Sequence, residues 1–391
     1  MELFVWRYVV PDPVHYFDAE PYYVLEKCID SYSSLTWCER FQKPGNFELH
    51  LRADTNLLRY LQQSRLLITR ADTDRAMIPD RVVLTTSTEN GNYLKISGMS
   101  AEGVMRRRII PQKMSFMASA YPDAAHVLNY LIQENIGGWW YYHRDSSHGP
   151  NTWGAHMWVN VIQKGTDDAG IPAAIDLQPY GQNLGTVIEQ VCTARGMGFR
   201  LPFDPDTGNL LYEFFIGKDR TISQSENAPV IFSPQFNNLS ETDYIYDRSA
   251  VATVALAGGE GDGANRKEGS RQRWSREYFG VGMNARSIFV DAKGLSSNTT
   301  GINGNAVKYQ ELLNSTAYDA LHNANEMHDF SGKVLPGGQF RYRTDYFLGD
   351  TVSVQNDYGI NGSAVVSEVT EIVDESGYQV VPTLSEWKAG A

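Results

Sequence analysis

Cysteine is scarce. The chain of 391 residues has three, Cys28, Cys38 and Cys192, with no C-x-x-C among them. They cannot all pair within one chain, and they suit folding in a reducing compartment, each thiol acting as a small apolar residue. Long apolar runs are missing too: no stretch approaches the roughly 18 residues of a membrane span. The start, Met1-Glu2-Leu3-Phe4-Val5-Trp6-Arg7, has an acid where a secretory signal needs basic residues, and Pro11 and Pro13 end its apolar run. This reads as a chain made in a cytoplasm that does not cross a bilayer by its own sequence. Positive charge is short as well, 34 Lys and Arg against 46 Asp and Glu, a net −12. A broad nucleic-acid face is thereby excluded, since such faces need clustered cations to displace counterions. There is no G-x-S-x-G, no H-E-x-x-H and no Cys paired with a His motif. The 46 acids leave a glycosidase pair open, but nothing singles one out. The expectation is no catalytic residue, no cofactor and no metal.

What is present points to packed β structure. Apolar residues make up 42% and charged residues 20%, enough for a core, and the length suggests two or three domains. Aromatics reach 12%, led by 22 Tyr, a composition that favours strands. Phe47, Leu49, Leu51 and Ala53 alternate with polar neighbours as in a half-buried strand. Val82 to Thr86 and Tyr93 to Ser97 flank the turn signal Asn90-Gly91, predicting a hairpin. Ser100 is placed to cap a short helix over Ala101 to Ile109, which carries Arg106-Arg107-Arg108. Helical spacing then appears over Asp123 to Ile136, stopped by Gly137-Gly138, and again over Leu184 to Cys192, stopped at Gly196. Phe199 to Leu201 and Leu210 to Ile216 flank the turn cluster Asp204 to Asn209. Further on come a strand over Ala250 to Ala257, a strand over Arg286 to Asp291 and a helix within Tyr309 to Met327. Three final strands, Thr351 to Gln355, Val365 to Val373 and Tyr378 to Thr383, form an antiparallel meander. The order is β, then α+β, then β.

Three segments invite chemical readings. Gly259-Glu260-Gly261-Asp262-Gly263-Ala264 follows a strand and formally matches a dinucleotide loop. No apolar helix follows it, however, and Glu260 and Asp262 would repel phosphate, so a flexible charged hairpin loop is expected. His143-Arg144-Asp145 and Asp329-Phe330 echo kinase motifs without a phosphate loop or a Lys-bearing strand, a chance match. His143, His148 and His156 with Asp145 lack the spacing of a zinc site. The segment around them holds Trp139, Trp140, Tyr141, Tyr142, Trp153 and Trp158. Exposed, these rings would stack on sugars or anchor a protein interface; buried, they would be core.

A resemblance rests on ordered segments rather than on any one motif. These are Tyr32-Ser33-Ser34-Leu35-Thr36-Trp37, Leu211 to Thr221, Ile231 to Leu239, Ala255 to Gly261 with an Arg shortly after, Ile288 to Ala292, and Asp345 to Val354 with Tyr358-Gly359-Ile360 behind. Together the chain resembles the tail hub family of siphophages, tail-tip proteins related to the baseplate hub proteins of contractile tails. The segment Trp139 to Trp158 is longer and more aromatic than that pattern. The resemblance implies a mainly β fold with an α+β middle: a first β-barrel domain over 1–115, an α+β domain over 116–225 and a second β-barrel domain over 226–391. It implies a homotrimer in the virion tail tip whose six similar barrels dock on a hexameric tail tube and line a DNA exit channel. Partners would be further copies, tail tube or distal ring proteins, and tail fibre or tip proteins, with DNA passing through unbound. The loop Gly259, Glu260, Gly261, Asp262 and Arg266 is the candidate interface or lumen element. Trp139, Trp140, Trp153 and Trp158 are candidate aromatic contacts, with Tyr22, Tyr23, Trp37, Trp274, Tyr278 and Phe279 as further anchors. The competing readings are a tail-associated cell-wall hydrolase and a glycan-binding tip module.

Overall fold

The computed structural model describes residues 1–9, 22–62, 66–87, 91–111, 114–136, 162–165, 171–272, 282–299, 301–335, 339–355, 358 and 361–389. The chain is mainly β. Its first strands are β1 (Leu3–Val9), β2 (Tyr22–Ile29), β3 (Ser34–Arg40) and β4 (Asn46–Arg52). Helix α1 (Thr55–Leu61) follows, then β5 (Leu66–Arg70), β6 (Thr73–Thr85) and β7 (Tyr93–Ser100). The alternation foreseen around Phe47 holds in β4, where Phe47, Leu49 and Leu51 are buried and Glu48 and His50 are not. The foreseen hairpin is β6 against β7, with Gly91 at φ 76° in the left-handed region that the connection requires. The segment after β7 is a 3-10 helix, Ala101–Arg107, two residues shorter than expected. Ser100 does not cap it; its hydroxyl accepts the Gly45 N–H at 2.7 Å and ties β7 to the β3–β4 connection.

The middle of the chain packs into a core that also takes Leu67, Ala76, Ile78, Ala101, Met105 and Ile110 from earlier in the chain. Helix α2 (Ala124–Ile136) and helix α3 (Leu184–Arg195) bury the apolar stripes read from the sequence, Leu128, Leu131 and Ile132 against Leu184, Val187, Ile188 and Val191. Asn183 caps α3 by accepting from Thr186 N–H, and Gly196 ends it at φ 61°. A small sheet supports them: β8 (Ile162–Lys164), β9 (Gly198–Arg200), β10 (Phe203–Asp204) and β11 (Asn209–Phe215). Gly137 and Gly138 lie outside the described residues.

The last third runs β12 (Asp219–Arg220), β13 (Ile231–Phe232), β14 (Leu239–Asp247), β15 (Val254–Gly258), β16 (Glu268–Gln272) and β17 (Ser287–Asp291). Helix α4 (Ala306–Asn323), β18 (Met327–Val334), β19 (Thr351–Gln355), β20 (Asn361–Asp374) and β21 (Gly377–Ala389) complete it. β15 pairs antiparallel with β16 and parallel with β17. Helix α4 lays Tyr309, Leu313, Ala317 and Leu321 on this sheet, making a separate core within the C-terminal strands. The final meander is as expected, β19 to β20 to β21.

The large sheet corrects the expectation of two flanking barrels. None of the sheets closes into a barrel among the described residues. Strands from both ends of the chain instead share one sheet, in the order β14-β18-β21-β20-β3-β4-β7-β6-β5-β1-β2. The reason is the length of β20. Asn361 to Val365 pair with β19, while Glu368 to Val373 on the same edge pair with β3, Glu371 opposite Trp37 and Val369 opposite Glu39. An edge that could have closed on the C-terminal strands is thus used to join the N-terminal ones. The two strand sets keep distinct cores: Leu3, Trp37, Phe47 and Leu49 in one, Phe232, Tyr346, Val352 and Val366 in the other.

Candidate functional site

The loop singled out from the sequence is a charged hairpin, but a braced one. The β15–β16 ladder continues into it through Gly259 N–H to the Lys267 carbonyl at 2.7 Å and Lys267 N–H to the Glu260 carbonyl at 2.8 Å. Arg266 folds back across it, donating to the carbonyls of Gly258 and Gly259, pairing with Asp291 and stacking over Phe289. The Glu260 carboxylate accepts from Ser297 N–H and Oγ at 2.9 and 2.7 Å, and these bonds hold its pKa below the ordinary value. Asp262 pairs with Lys293, which lowers its pKa likewise. The glycines serve packing. A Cβ on Gly258 would meet Arg266 at 2.6 Å, and one on Gly259 would meet the Tyr309 hydroxyl at 2.5 Å. Gly261 alone of the first three needs a left-handed backbone, at φ 95°. So Gly259, Glu260, Gly261, Asp262 and Arg266 do come together, with their charges spent on fixing the loop against β17 and the segment before α4.

The aromatic candidates separate. Trp139, Trp140, Trp153, Trp158, Trp274, Tyr278 and Phe279 lie outside the described residues, as do His143, His148, His156 and Asp145. Trp37 is fully buried, and its indole N–H donates to Glu39 at 2.9 Å, so it is core rather than an interface anchor. Tyr23 packs edge-on to Phe203 and Tyr8, joining the first strands to the middle core. Tyr22 stays exposed at the end of β2. Among the described residues no group of three His, Cys, Asp or Glu could hold a metal.

Segments far apart in the sequence converge on β19. Asp219 and Arg220 pair with Thr351 and Val352, and Ile231 and Phe232 with Ser353 and Val354, all parallel. Asp350, buried at the start of β19, organises the join. Its carboxylate accepts from Lys218 N–H at 2.8 Å, Arg220 Nε at 2.6 Å and Phe347 N–H at 3.0 Å. Gly217 admits no side chain, because a Cβ there would sit 1.8 Å from the Gly349 carbonyl oxygen.

Beside this join lies a cleft of about 460 Å³, walled by Phe215, Ile216, Lys218, Tyr342, Arg343 and Phe347. Its floor is a buried ionic network that sequence reasoning missed. Arg70, with no exposed side-chain surface, binds Glu371 through both terminal nitrogens at 2.8 and 3.0 Å and chelates Asp72. Its guanidinium also lies over the Trp37 ring. Arg343 reaches Glu39 and Glu371, each at 2.7 Å, while Tyr342 donates to Glu39 and Tyr378 to Glu371. Arg75 pairs with Glu102 at 2.9 Å, and Glu102 also takes the Leu201 N–H, extending the network into the middle core. Burial pushes the Glu39 carboxyl up, but Arg343, Arg75, Trp37 and Tyr342 together hold it below its ordinary value. A signal was there to find. Glu39 follows Leu35 and Trp37 at period two, and Glu371 sits between Val369 and Val373 at the same phase, so each acid points into the core.

Residues 17–384 match the family described as Siphovirus ReqiPepy6 Gp37-like protein. No curated protein matches the chain. Among solved structures, the 43 kDa tail protein of prophage MuSo2 from Shewanella oneidensis is similar with a TM-score of 0.54 at 9% identity, over 98% of each chain. A tail protein from Neisseria meningitidis MC58 is similar with a TM-score of 0.51 at 14% identity, over 92% of this chain and 94% of that one. These likenesses concern the fold, which this chain shares with phage tail proteins along nearly its whole length. With a match that runs from residue 17 to residue 384, the chain belongs to the siphovirus ReqiPepy6 Gp37-like family.

Proposed function

We propose that the chain is a structural hub of a phage tail tip, a homotrimer that adapts a hexameric tail tube to a threefold tip and surrounds the DNA exit channel. The observation that carries this reading is the pair of strand lobes, one from each end of the chain, with separate cores fused side by side in one sheet. Three copies then present six lobes to a sixfold ring, which resolves the symmetry mismatch by repetition within the chain. In this reading residues 1–115 and 226–391 supply the lobes, and residues 116–225 form the α+β unit between them. The net charge of −12 agrees with a channel wall that must not hold phosphate, because an anionic surface repels DNA within about one Debye length, roughly 8 Å in physiological salt. The loop at Gly259 to Arg266 faces a neighbouring subunit or the lumen in this arrangement. The work is geometric, without turnover, and the partners are other copies, tube or distal ring proteins, and fibre or tip proteins. Light scattering of the purified chain tests it: a mass of three chains that binds tube rings is expected. A monomer that never joins tube protein would overturn the reading.

A further inference from the structure

The joint between the two lobes has unusual chemistry for the middle of a sheet. Among the described residues, β3 with β20 is the strand pairing that links the first strands to the last, and it spans only Leu35 to Arg40 against Glu368 to Val373. Apolar packing across it is limited: Phe41 is the N-terminal side chain that enters the C-terminal core, and Val373 on β20 packs against the N-terminal one. What crosses instead is charge: Arg40 on β3 pairs with Glu368 on β20, Arg70 on β5 with Glu371 on β20, and Glu39 on β3 with Arg343. Glu39 on β3 and Glu371 on β20 lie on the same face, two residues apart in register, with 4% and 1% exposure. Two buried carboxylates so placed repel unless a cation stands between them. Arg343 is that cation, and one of its terminal nitrogens reaches both at 2.7 Å.

Arg343 is presented in a way that stores strain. Its φ is 63°, a conformation that disfavours a side chain. The surrounding turn holds it there: Arg343 N–H donates to the Tyr346 carbonyl, Asp345 N–H to the Arg341 carbonyl, and Arg341 N–H to the Asp345 carboxylate. Glu371 keeps a second cation, Arg70, whereas the other close partners of Glu39 are the neutral Trp37 and Tyr342. Removing the Arg343 guanidinium thus leaves Glu39 facing Glu371 and Asp72 with Arg75 as its remaining nearby cation.

We infer that the β3–β20 seam is an ionic latch: alongside the Arg40–Glu368 and Arg70–Glu371 pairs that also cross it, Arg343 staples Glu39 to Glu371, and without that staple the seam opens while each lobe keeps its own core. The inference stands on the geometry of one chain and does not depend on the trimer. Buried ion pairs add little net stability compared with apolar packing, but breaking one by removing a partner is strongly unfavourable. A seam held this way is therefore either closed or released.

Amide hydrogen exchange on the full-length protein tests it. In Arg343→Ala and Arg343→Gly, exchange at residues 35–40 and 368–373 should quicken by about tenfold or more, with β4, β7 and β19 unchanged. Arg343→Gly relieves the backbone strain yet should open like Arg343→Ala, and Arg343→Lys should stay closed. The double variant Glu39→Gln with Arg343→Met removes the repulsion along with the staple, so it should recover most of the seam protection; it also serves if Arg343→Ala fails to fold. Uniform acceleration over all strands, unchanged exchange at the seam, or a double variant as open as Arg343→Ala would each overturn the latch.

Discussion

Arg70 and Cys38 mark two ways in which this chain buries polar chemistry. Arg70 has no solvent-exposed side-chain surface, yet each of its guanidinium nitrogens meets a carboxylate of Asp72 or Glu371. Arg70→Ala would strand Glu371 against its remaining partners, so a loss of about 3–5 kcal/mol is expected in chemical denaturation, as for a broken buried pair. Arg70→Met should lose less than Arg70→Ala, because its stem refills part of the space over Trp37. Cys38 is handled by exclusion: burial first, then the nearby Glu368, pushes its thiol up to about 11, and burial raises Cys192 further still. Cys28 is exposed on β2. A maleimide should therefore label one thiol per folded chain and three after denaturation, read by mass spectrometry. The acids of the network set the acid limit of stability. Glu39 and Asp72 are pushed up by burial but pulled lower by Arg343 and Arg75 in one case and Arg70 in the other. A carboxyl whose folded pKa lies below its unfolded value stabilises the fold above the unfolded value, 4.5 for Glu and 3.8 for Asp, and that contribution fades as pH falls through the folded value. The unfolding midpoint should thus drop as pH falls below about 4.5, and less steeply in Glu39→Gln. An unaltered slope in that variant would remove Glu39 from the explanation.

Elements whose pattern is local could be read in advance, and those made by distant pairing could not. Helix α2 follows from its apolar stripe, α3 from its stripe and the stop at Gly196, and the β20–β21 hairpin from the strands read over 365–373 and 378–383, whose connection places Gly377 at φ 111°. Asn183→Ala should cost about 1 kcal/mol by deleting the α3 cap, checked by thermal melting. Helix α4 begins three residues earlier than expected and stops at Asn323, because Asn305 caps it through Val307 and Lys308 N–H and Met327 already belongs to β18. Strand β12 illustrates what spacing cannot show. Two residues long, it exists because Thr351 and Val352 lie beside it and Asp350 gathers its neighbours' donors. Asp350→Ala leaves the Arg220 guanidinium without that carboxylate, and faster amide exchange at 218–220 and 351–354 is the expected reading. Gly217→Ala should fold poorly, since no rotation relieves contact with the backbone of Gly349.

At the scale of the whole molecule, the decisive feature is that one sheet recruits both ends of the chain. Strand sets from the two ends of the chain have separate cores, but β20 divides its edge between β19 and β3, and among the described residues the sheet does not close. A second α/β core around α4 sits inside the C-terminal strands, where the sequence reads as strand, charged loop and helix without saying that they pack together. Of the candidate site, the loop Gly259 to Arg266 was legible from its glycines and charges, whereas the network beneath the cleft was not, because its members come from β3, β5, β6, β20, β21, the 3-10 helix after β7 and the turns at Asp72 and Arg343. Composition and periodicity by themselves settled the mainly β character, the net negative charge and the positions of α2, α3 and the last hairpin, while the family resemblance rested on the order of several short segments. These depend on neighbours within a few residues or on sums over the chain. Tertiary structure alone decided which strands distant in sequence meet, that Trp37 is core, and that Glu39 and Glu371 share Arg343. Such contacts join residues about 300 apart, and their free energy depends on burial and register that no local window contains.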